Sequence, residues 1–553
     1  MSRLFKFLKS HWQIIAIIGV GILLRFYMLG LVPSSLNRDE AALGYNAYSL
    51  LQTGKDEFGE SWPLTFKSFG DYKMPGYIYL LIPFIKIFGL NNFSVRLISA
   101  LAGVLMILII YWFSLELFKD RKVALFSSLG LAISPWAVFY SRIGFETNVA
   151  IFFIATSFLL LFKGLKKPWL WLASALLMVL SLFTYNHSFI VVPIMTLVFF
   201  GLFFKKIWVK KKLMPAIFAG VILVTGVVGA YKTVGRVNQA KGMIAVYNNP
   251  ILHQEWANIR ADHELEAKDN KFLYLKHKFS DTRYVYFGKM IVSNSLKNFT
   301  PWFLAVRDGK FTWNGIKGIG FFYPVDLLFI FIGLIVLLSK IKNKRNVFLL
   351  SLLFVGTLPA SLSIDQAHPN RSLNMFWGLY LVFGLGLNFV VKKMSKMIRI
   401  SKVINVFIIL GYLFCAGFLI ERYFIYQPKH YAVEWFDQID EVVSTLDELK
   451  PESIILSSDL PEIYIYYLFY SHYPPQLFQD SVIRTRDSNG FYTVHQFGKV
   501  KIKVLQDFDN FKIGKKTVIL GTDQNSDLLS RGDGGGEIKS FGRNYVYKIF
   551  SFD

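Results

Sequence analysis

The chain has 553 residues, of which 54% are hydrophobic and 17% are aromatic, and its mean hydropathy is positive. A soluble enzyme of this length is less apolar, so the composition excludes an ordinary soluble protein. Lys and Arg outnumber Asp and Glu by 61 to 37. These cations lie in short runs between long apolar segments, which is typical of a membrane protein rather than of a nucleic-acid-binding surface.

The N-terminal segment and the apolar runs predict a protein that crosses the membrane many times. Residues 1–11 are basic and precede an apolar run without a small-residue cleavage site, which predicts a retained signal-anchor. Stretches of about 20 apolar residues cross a bilayer. The eleven predicted spans are residues 12–31, 93–118, 123–140, 147–162, 169–184, 188–204, 213–231, 324–339, 346–362, 372–391 and 403–421.

Charge predicts the orientation of these spans. If the N-terminus is cytoplasmic, every even-numbered span ends in the cytoplasm, and each of those five short loops is rich in Lys and Arg. The opposite connections, including the long loops 32–92 and 232–323, are not built that way. We therefore expect a multi-pass protein of the plasma membrane with its polar chemistry on the outer face. The apolar stretch 76–89 is too short to span and is predicted to lie at the outer interface.

The composition changes after the last span, which predicts two domains, a transmembrane domain over 1–421 and a small outer α/β domain over 422–553. The single cysteine, Cys415, lies in an apolar span and excludes an intrachain disulfide. Alternating patterns beyond residue 421 predict helices at His430–Leu449 and Pro461–His472, and strands at Ser453–Ser458, Thr517–Gly521 and Tyr545–Phe550.

The tract after the first span carries the strongest candidates for chemistry. Asp39 and Glu40 follow that span directly, and carboxylates beside hydrocarbon are costly unless they face a polar cavity. Tyr45 follows them, and Asp71-Tyr72-Lys73 lies about thirty residues further on. One alternative is that the loop only needs charges to stay hydrated. The clustering of acids, a lysine and tyrosines favours a functional site.

A set of short motifs in the first 420 residues, in this order, resembles the C-type membrane glycosyltransferases. The resemblance is to the bacterial family related to protein O-mannosyltransferases and to the aminoarabinose transferase of lipid A. The motifs are Asn37-Arg38-Asp39-Glu40, Lys73-Met74-Pro75, Ser134-Pro135-Trp136, Tyr140-Ser141-Arg142, Tyr185-Asn186-His187 and His368-Pro369-Asn370-Arg371. Family members often have Lys-Pro-Pro, whereas Met74 separates Lys73 from Pro75 here. The Trp-Trp-Asp signature of oligosaccharyltransferases is absent.

This resemblance implies a mainly α-helical GT-C fold with about eleven transmembrane helices and additional juxtamembrane helices. It also implies transfer of a sugar, with inversion, from a polyprenyl-phosphate carrier to an acceptor on the outer face. Asp39 matches the family's catalytic position, and a single displacement needs only one base to take the acceptor's proton. The leaving phosphate needs cations to stabilise its charge, and Lys73, Arg142 and Arg371 are the candidates.

Further substrate contacts are expected around these residues. Glu40 and Glu146 could bind sugar hydroxyls or hold the arginines, His187 and His368 could hydrogen-bond the acceptor or phosphate, and Tyr45 and Tyr72 could offer ring faces to a sugar. Asp71 and Glu146 are the next candidates for the base. We expect no required cofactor and no metal ligands at the site, with a divalent ion left open. The expected partners are the lipid-linked donor, membrane lipid and a glycan, lipid or protein acceptor, without nucleic acid.

Two other classes of function share part of this pattern. A transporter or flippase of lipid-linked sugars could also span eleven times, but it should place charges at mid-membrane in broken helices. A polymer ligase or polymerase of the O-antigen type would share the donor but not the Asp-Glu start. Charges gathered at one face favour the transferase.

Overall fold

The structure, a computed structural model, is mainly helical with one large sheet near its C-terminus. It describes residues 2–69, 71–241, 245–306, 312–364, 367–395, 398–487, 492–505, 516–522, 525, 538–541 and 547–552. The helices of the first 420 residues are α1 Ser2–Phe26, α2 Arg38–Thr53, α3 Pro75–Phe88, α4 Asn92–Phe118, α5 Arg121–Ile133, α6 Pro135–Ser141, α7 Glu146–Gly164, α8 Leu170–Thr184, α9 Ser188–Ile207, α10 Lys210–Lys241, α11 Pro250–Glu266, α12 Lys271–Ser280, α13 Arg283–Lys297, α14 Pro324–Ser339, α15 Lys344–Val355, α16 Leu358–Ser361, α17 Pro369–Met394 and α18 Ile398–Ile420.

Helices cover all eleven predicted spans, although two spans are broken. The third span consists of α5 and α6, which bend by 59°. Pro135 causes the break because it lacks a backbone N–H and forces Ser134 into an extended conformation. The ninth span is likewise divided between α15 and α16. The apolar stretch 76–89 forms α3, which begins at Pro75.

Many of these helices are apolar enough to confirm a multi-pass membrane protein. Within the described ranges, six can cross a bilayer by length and composition, or seven if the bent pair is one span. The six are Asn92–Phe118, Glu146–Gly164, Ser188–Ile207, Lys210–Tyr231, Pro369–Met394 and Lys402–His430. Helices α3, α8 and α14 are shorter and apolar. The count of eleven and the orientation of the termini stay predictions.

The C-terminal part forms a seven-stranded mixed sheet with flanking helices, as the sequence predicts. Its elements are α19 Gln427–His430, α20 Ile439–Glu448, β3 Ser453–Ser457, α21 Ile463–Tyr470, α22 Pro475–Ser481, β4 Ile483–Arg486, β5 Tyr492–Phe497, β6 Val500–Lys503, β7 Thr517–Thr522, β8 Ile538–Phe541 and β9 Tyr547–Phe552. The strand order is β4-β5-β6-β3-β7-β9-β8, with β3 parallel to both of its neighbours. The sequence patterns predicted β3, β7, β9 and α21 and missed the other strands.

The helix predicted over His430–Leu449 is wrong in its extent. Helix α20 starts only at Ile439, because Phe436 and Gln438 adopt left-handed backbone conformations with φ of 48° and 62°. Left-handed residues interrupt a right-handed helix. The helix before them is longer than predicted, since α18 continues through a π-helical turn at Glu421–Tyr426 into α19.

Helix α2 is held between the membrane helices and the C-terminal sheet region. A Cβ at Gly44 would lie 2.6 Å from the Phe469 ring in α21 and 2.8 Å from the Val95 side chain in α4. Only glycine therefore permits this approach. Helices α2 and α3 and the C-terminal elements also share one hydrophobic core. The helix that carries Asp39 and Glu40 is therefore fixed from both sides.

Candidate functional site

The first turn of α2 is fixed by a capping box. The Glu40 amide donates to Asn37 Oδ1 at 3.0 Å, and the Asn37 amide donates to Glu40 Oε2 at 3.0 Å. This arrangement satisfies two of the unpaired N–H groups at the helix start. Consecutive helix residues point about 100° apart. The two adjacent carboxylates, of Asp39 and Glu40, therefore reach different surroundings.

Glu40 is fully buried and its carboxylate is occupied by protein donors. Arg96 Nε lies 3.2 Å from Glu40 Oε1, and the Gly144 amide donates to the same oxygen at 2.6 Å. Arg96 also donates to the carbonyls of Leu29, Pro33 and Ser35. Contact of Glu40 with a substrate stays a prediction, but its observed role is to hold an arginine. That arginine is Arg96, which the sequence analysis did not select.

Asp39 is the more accessible of the two acids and pairs with Lys73. Lys73 Nζ lies 3.2 Å from Asp39 Oδ1, and the side chains are 17% and 33% exposed, respectively. Lys73 ends strand β2 (Asp71–Lys73), which pairs antiparallel with β1 (Phe66–Ser68). Met74 is buried and caps α3, so the residue that departs from the family pattern still leaves Lys73 beside Asp39.

Two neighbours of Lys73 in β2 were also predicted as site residues. Tyr72 is half-buried and lies opposite Lys67 in the β1–β2 pair. Asp71 lies opposite Ser68 at the start of the strand, and its side chain is outside the described part of the structure. The hairpin thus brings the backbone of both residues next to Lys73.

The corner between α8 and α9 lies against the start of α3, which follows Lys73 closely in the chain. A Cβ at Gly76 would lie 2.7 Å from Thr184 Oγ1 and 2.8 Å from the Phe183 carbonyl oxygen. Tyr185 follows directly, and its hydroxyl accepts a hydrogen bond from Asn370 Nδ2 at 3.4 Å. The two motifs Tyr185-Asn186-His187 and His368-Pro369-Asn370-Arg371 therefore meet in the structure.

The polar side chains of this corner include a buried histidine without a protein partner. His187 caps the start of α9, and neither of its ring nitrogens has a hydrogen-bond partner among the described residues. Its ring meets the Tyr185 ring edge-on at 5.0 Å between centroids. Buried polar groups are nearly always hydrogen-bonded, so this imidazole is a candidate to contact a polar ligand.

Arg371 and His368 lie at the start of α17. Arg371 is half-buried and donates to Ser363 Oγ, while His368 is the N-cap residue of the helix. Glu146 is buried at the first position of α7. The Gly144 amide just before α7 reaches Glu40 at the start of α2, and Asn370 at the start of α17 contacts Tyr185 just before α9.

Arg142 is placed differently from the prediction. Its guanidinium is buried and donates to carbonyls at the end of α1 and just beyond, those of Leu24, Arg25, Met28 and Val32. It also lies over the rings of Tyr423 and Phe424 at 5.2 Å and 4.7 Å. The last carbonyls of a helix lack intrahelical partners, and Arg142 supplies them. The observed contacts make Arg142 a cap for α1, and its binding of the donor phosphate stays a prediction.

Tyr45 also has a packing role that the sequence did not predict. Its ring is buried against Tyr48 and Phe478, and its hydroxyl donates to the Tyr473 carbonyl at 3.0 Å. These contacts join α2 to the C-terminal region and leave no ring face for a sugar. Arg96, in contrast, could have been found from the sequence, because an arginine in the first turn of an apolar span needs a buried partner.

A group of side chains that could bind a metal ion lies outside the site around Asp39 and Lys73. Within the described ranges, the one group of three side chains placed to share a metal ion is His263, His277 and Asp281. It lies on α11, on α12 and just after α12, in the segment between α10 and α14. The carboxylate–lysine pair of Asp39 and Lys73 does not belong to it.

Comparisons with known proteins support the motif-based resemblance. Residues 73–246 match the family model described as dolichyl-phosphate-mannose-protein mannosyltransferase. This segment begins at Lys73 and includes Arg142, Glu146 and His187. No curated protein sequence matches the chain.

A solved structure shows the same fold. The chain is similar to ArnT from Cupriavidus metallidurans bound to undecaprenyl phosphate, with 12% identity, coverage of 98% of both chains and a TM-score of 0.55. It is also similar to the oligosaccharyltransferase AglB from Archaeoglobus fulgidus in complex with an inhibitory peptide and a dolichol-phosphate. That match has 13% identity, covers 84% of this chain and 64% of the other, and has a TM-score of 0.48.

Proposed function

We propose that the chain is a C-type membrane glycosyltransferase that moves a sugar from a polyprenyl-phosphate-linked donor to an acceptor on the outer face of the membrane. The family of residues 73–246 takes its name from a lipid-phosphate sugar donor, and the structure of ArnT with the same fold contains undecaprenyl phosphate. The acceptor is a glycan, a lipid or a protein.

The observation that carries the proposal is the pair formed by Asp39 and Lys73. Asp39 takes the proton of the acceptor hydroxyl or amine as that group bonds to the anomeric carbon. The bond from the anomeric carbon to the phosphate oxygen breaks on the opposite side, so the configuration inverts. The phosphate leaves as an anion, and Lys73 with Arg371 stabilises its growing charge.

The surroundings of the two acids favour Asp39 over Glu40 as the base. A general base must come within hydrogen-bond distance of the acceptor. Asp39 is one-third exposed, whereas Glu40 is fully buried and bound by Arg96 and Gly144. Glu40 acts as a positioning residue, which orients the first turn of α2.

Lys73 couples donor binding to the base. In the free protein its ammonium group lies 3.2 Å from Asp39 Oδ1. A donor phosphate within reach of Lys73 competes for the same ammonium group, because charge-assisted bonds to phosphate are strong. Donor binding therefore releases Asp39 from this pair, so that its carboxylate can approach the acceptor.

The test is a transfer assay with radiolabelled polyprenyl-phosphate sugar, the purified chain and its Asp39→Asn variant. Turnover should fall about a hundredfold or more, which is the usual scale for loss of a general base. Donor binding should persist, because cations hold the phosphate. Asp480→Asn, at an exposed position in α22, is the control and should keep full turnover.

Two results would contradict the proposal. Near-normal turnover of Asp39→Asn would assign the base to another acid, with Glu146 or Asp71 next. Movement of the labelled lipid across the membrane without cleavage of the sugar would instead support the flippase.

A further inference from the structure

Three metal-ligating side chains converge in the outer segment, at a place that the transfer reaction does not use. His263 lies in the last turn of α11, His277 lies in the last turn of α12, and Asp281 caps α12. Their ligand atoms all lie within 4.8 Å of one another. We propose that this cluster binds one divalent transition-metal ion, for which Zn²⁺ is the expected species.

The distances suit a tetrahedral ion after a small adjustment. Asp281 Oδ2 lies 2.8 Å from His263 Nδ1 and 3.4 Å from His277 Nδ1. Zinc binds imidazole nitrogen and carboxylate oxygen at about 2.0–2.2 Å, so neighbouring ligands of a tetrahedral ion lie about 3.4 Å apart. Two imidazoles and one carboxylate supply three ligands, and water fills the fourth position.

The lack of hydrogen-bond partners for the ring nitrogens of His277, among the described residues, is an independent observation in favour of an ion. The His277 side chain is only 13% exposed. The contact of Nδ1 with Asp281 at 3.4 Å does not have hydrogen-bond geometry. A buried polar group without a partner costs free energy, and a bond to a metal ion would satisfy it.

Hydrogen bonds from Ser280 and Trp256 hold Asp281 in place for this role. Ser280 Oγ donates to Asp281 Oδ1 at 2.7 Å, which leaves Oδ2 directed towards the histidines. Trp256 Nε1, in α11, donates to the Asp281 carbonyl at 2.8 Å. Ligating carboxylates are commonly oriented by such bonds. The choice of Zn²⁺ follows from the ligands, because imidazole favours Zn²⁺ over the harder Mg²⁺ and Ca²⁺.

An ion here would stiffen a segment that borders the candidate active site. The chain just before α11 is attached to the loop before α17, since the Val246 amide donates to the Leu362 carbonyl at 2.9 Å. Ala245 forms a β-bridge with Ser363, and Ser363 binds Arg371. By joining α11 to α12, the ion would restrain the helices that follow this attachment. The site is structural and takes no part in the sugar transfer.

The experiment is a Zn²⁺ titration of the full chain, purified in detergent and stripped with a chelator, together with measurement of bound metal. We expect one Zn²⁺ per chain. His277→Asn and Asp281→Asn should each weaken Zn²⁺ binding at least about tenfold, since even substitution of residues that only orient the ligands lowers metal affinity by that factor. His495→Gln, at an exposed position in β5, is the control and should bind like the native chain.

A second measurement uses only the native chain, so it does not depend on whether the variants fold. Zn²⁺ should slow hydrogen exchange in residues 250–281 of the native chain, and Mg²⁺ at the same concentration should not. Binding of less than one Zn²⁺ per chain, or equal affinity in the native, His277→Asn and Asp281→Asn chains, would overturn the proposal. The three side chains would then be an ion-paired cluster without metal. None of these readouts uses transferase activity.

Discussion

Arg96 Nε lies 3.2 Å from Glu40 Oε1, and neither side chain is exposed. This ion pair joins α2 to α4 at the mouth of the first membrane helix. Removing one partner of a buried pair leaves the other charge without compensation. Because this pair anchors Glu40 to α4, it also fixes the position of the neighbouring Asp39 at the start of α2.

Glu40→Gln should destabilise the protein by about 3–5 kcal/mol, the usual cost of breaking a buried ion pair. The matched control is Glu60→Gln, because Glu60 pairs with Lys67 at the surface and is 36% exposed. That change should cost less than about 1 kcal/mol. Thermal unfolding of the purified variants measures both effects. Equal stability of the two variants would show that the Glu40–Arg96 pair does not hold α2.

Arg142→Ala should reduce stability and leave the affinity of the folded enzyme for its donor unchanged. The carbonyls of Leu24, Arg25 and Val32 would lose this donor, whereas the Met28 carbonyl keeps its backbone donors, and each buried group left unsatisfied costs about 1–3 kcal/mol. Arg38→Ala is the control, since Arg38 forms an exposed pair with Glu462. Thermal unfolding and donor KM, measured on the same samples, separate the roles. A raised donor KM with native stability would instead show that Arg142 binds the donor phosphate.

Arg371→Ala should raise the donor KM or lower turnover by about tenfold or more, because the phosphate loses a charge-assisted partner. Arg371→Lys keeps the charge but not the planar fork, so it should retain part of the activity. Kinetics at subsaturating donor give the comparison. If the Ala variant behaves like the native enzyme, the phosphate is bound without Arg371.

The sequence could predict the membrane helices and the α/β character of the C-terminal part, because hydropathy and charge depend on local composition. The contact between Tyr185 and Asn370 is a finding of the structure. The resemblance selected Asp39, but spacing alone could not separate Asp39 from Glu40. That difference depends on Arg96 and Gly144, which lie 56 and 104 residues further along the chain.

The sequence also did not reveal the roles of Tyr45 and Arg142, because their partners lie far from them along the chain. Tyr45 is covered by Phe478 and bonded to Tyr473, more than 400 residues away. Arg142 binds carbonyls of α1, about 110–118 residues before it. Backbone carbonyls leave no trace in a sequence pattern, so an arginine that caps a helix looks the same as one that binds a ligand.

A last prediction concerns Glu57, which is buried where the loop after α2 meets the C-terminal part. The side chain is 1% exposed, and neither carboxylate oxygen has a hydrogen-bond partner in the described part of the chain. Burial raises the pKa of Glu57 to about 8, although the nearby Arg484 opposes the shift and Asp56 adds to it. Burial likewise raises the pKa of Asp56 to about 6.

A carboxyl whose pKa is higher in the folded state binds its proton more tightly there than in the unfolded chain. Its contribution to stability is therefore complete below the unfolded pKa, near 4.3, and is lost as the pH rises towards 8. Glu57→Gln stays neutral throughout this range. The variant should match the native protein at pH 5, exceed its thermal stability at pH 8 and show a weaker pH dependence between them. Parallel melting-temperature profiles for the native and Glu57→Gln proteins would mean that Glu57 is solvated or paired in solution.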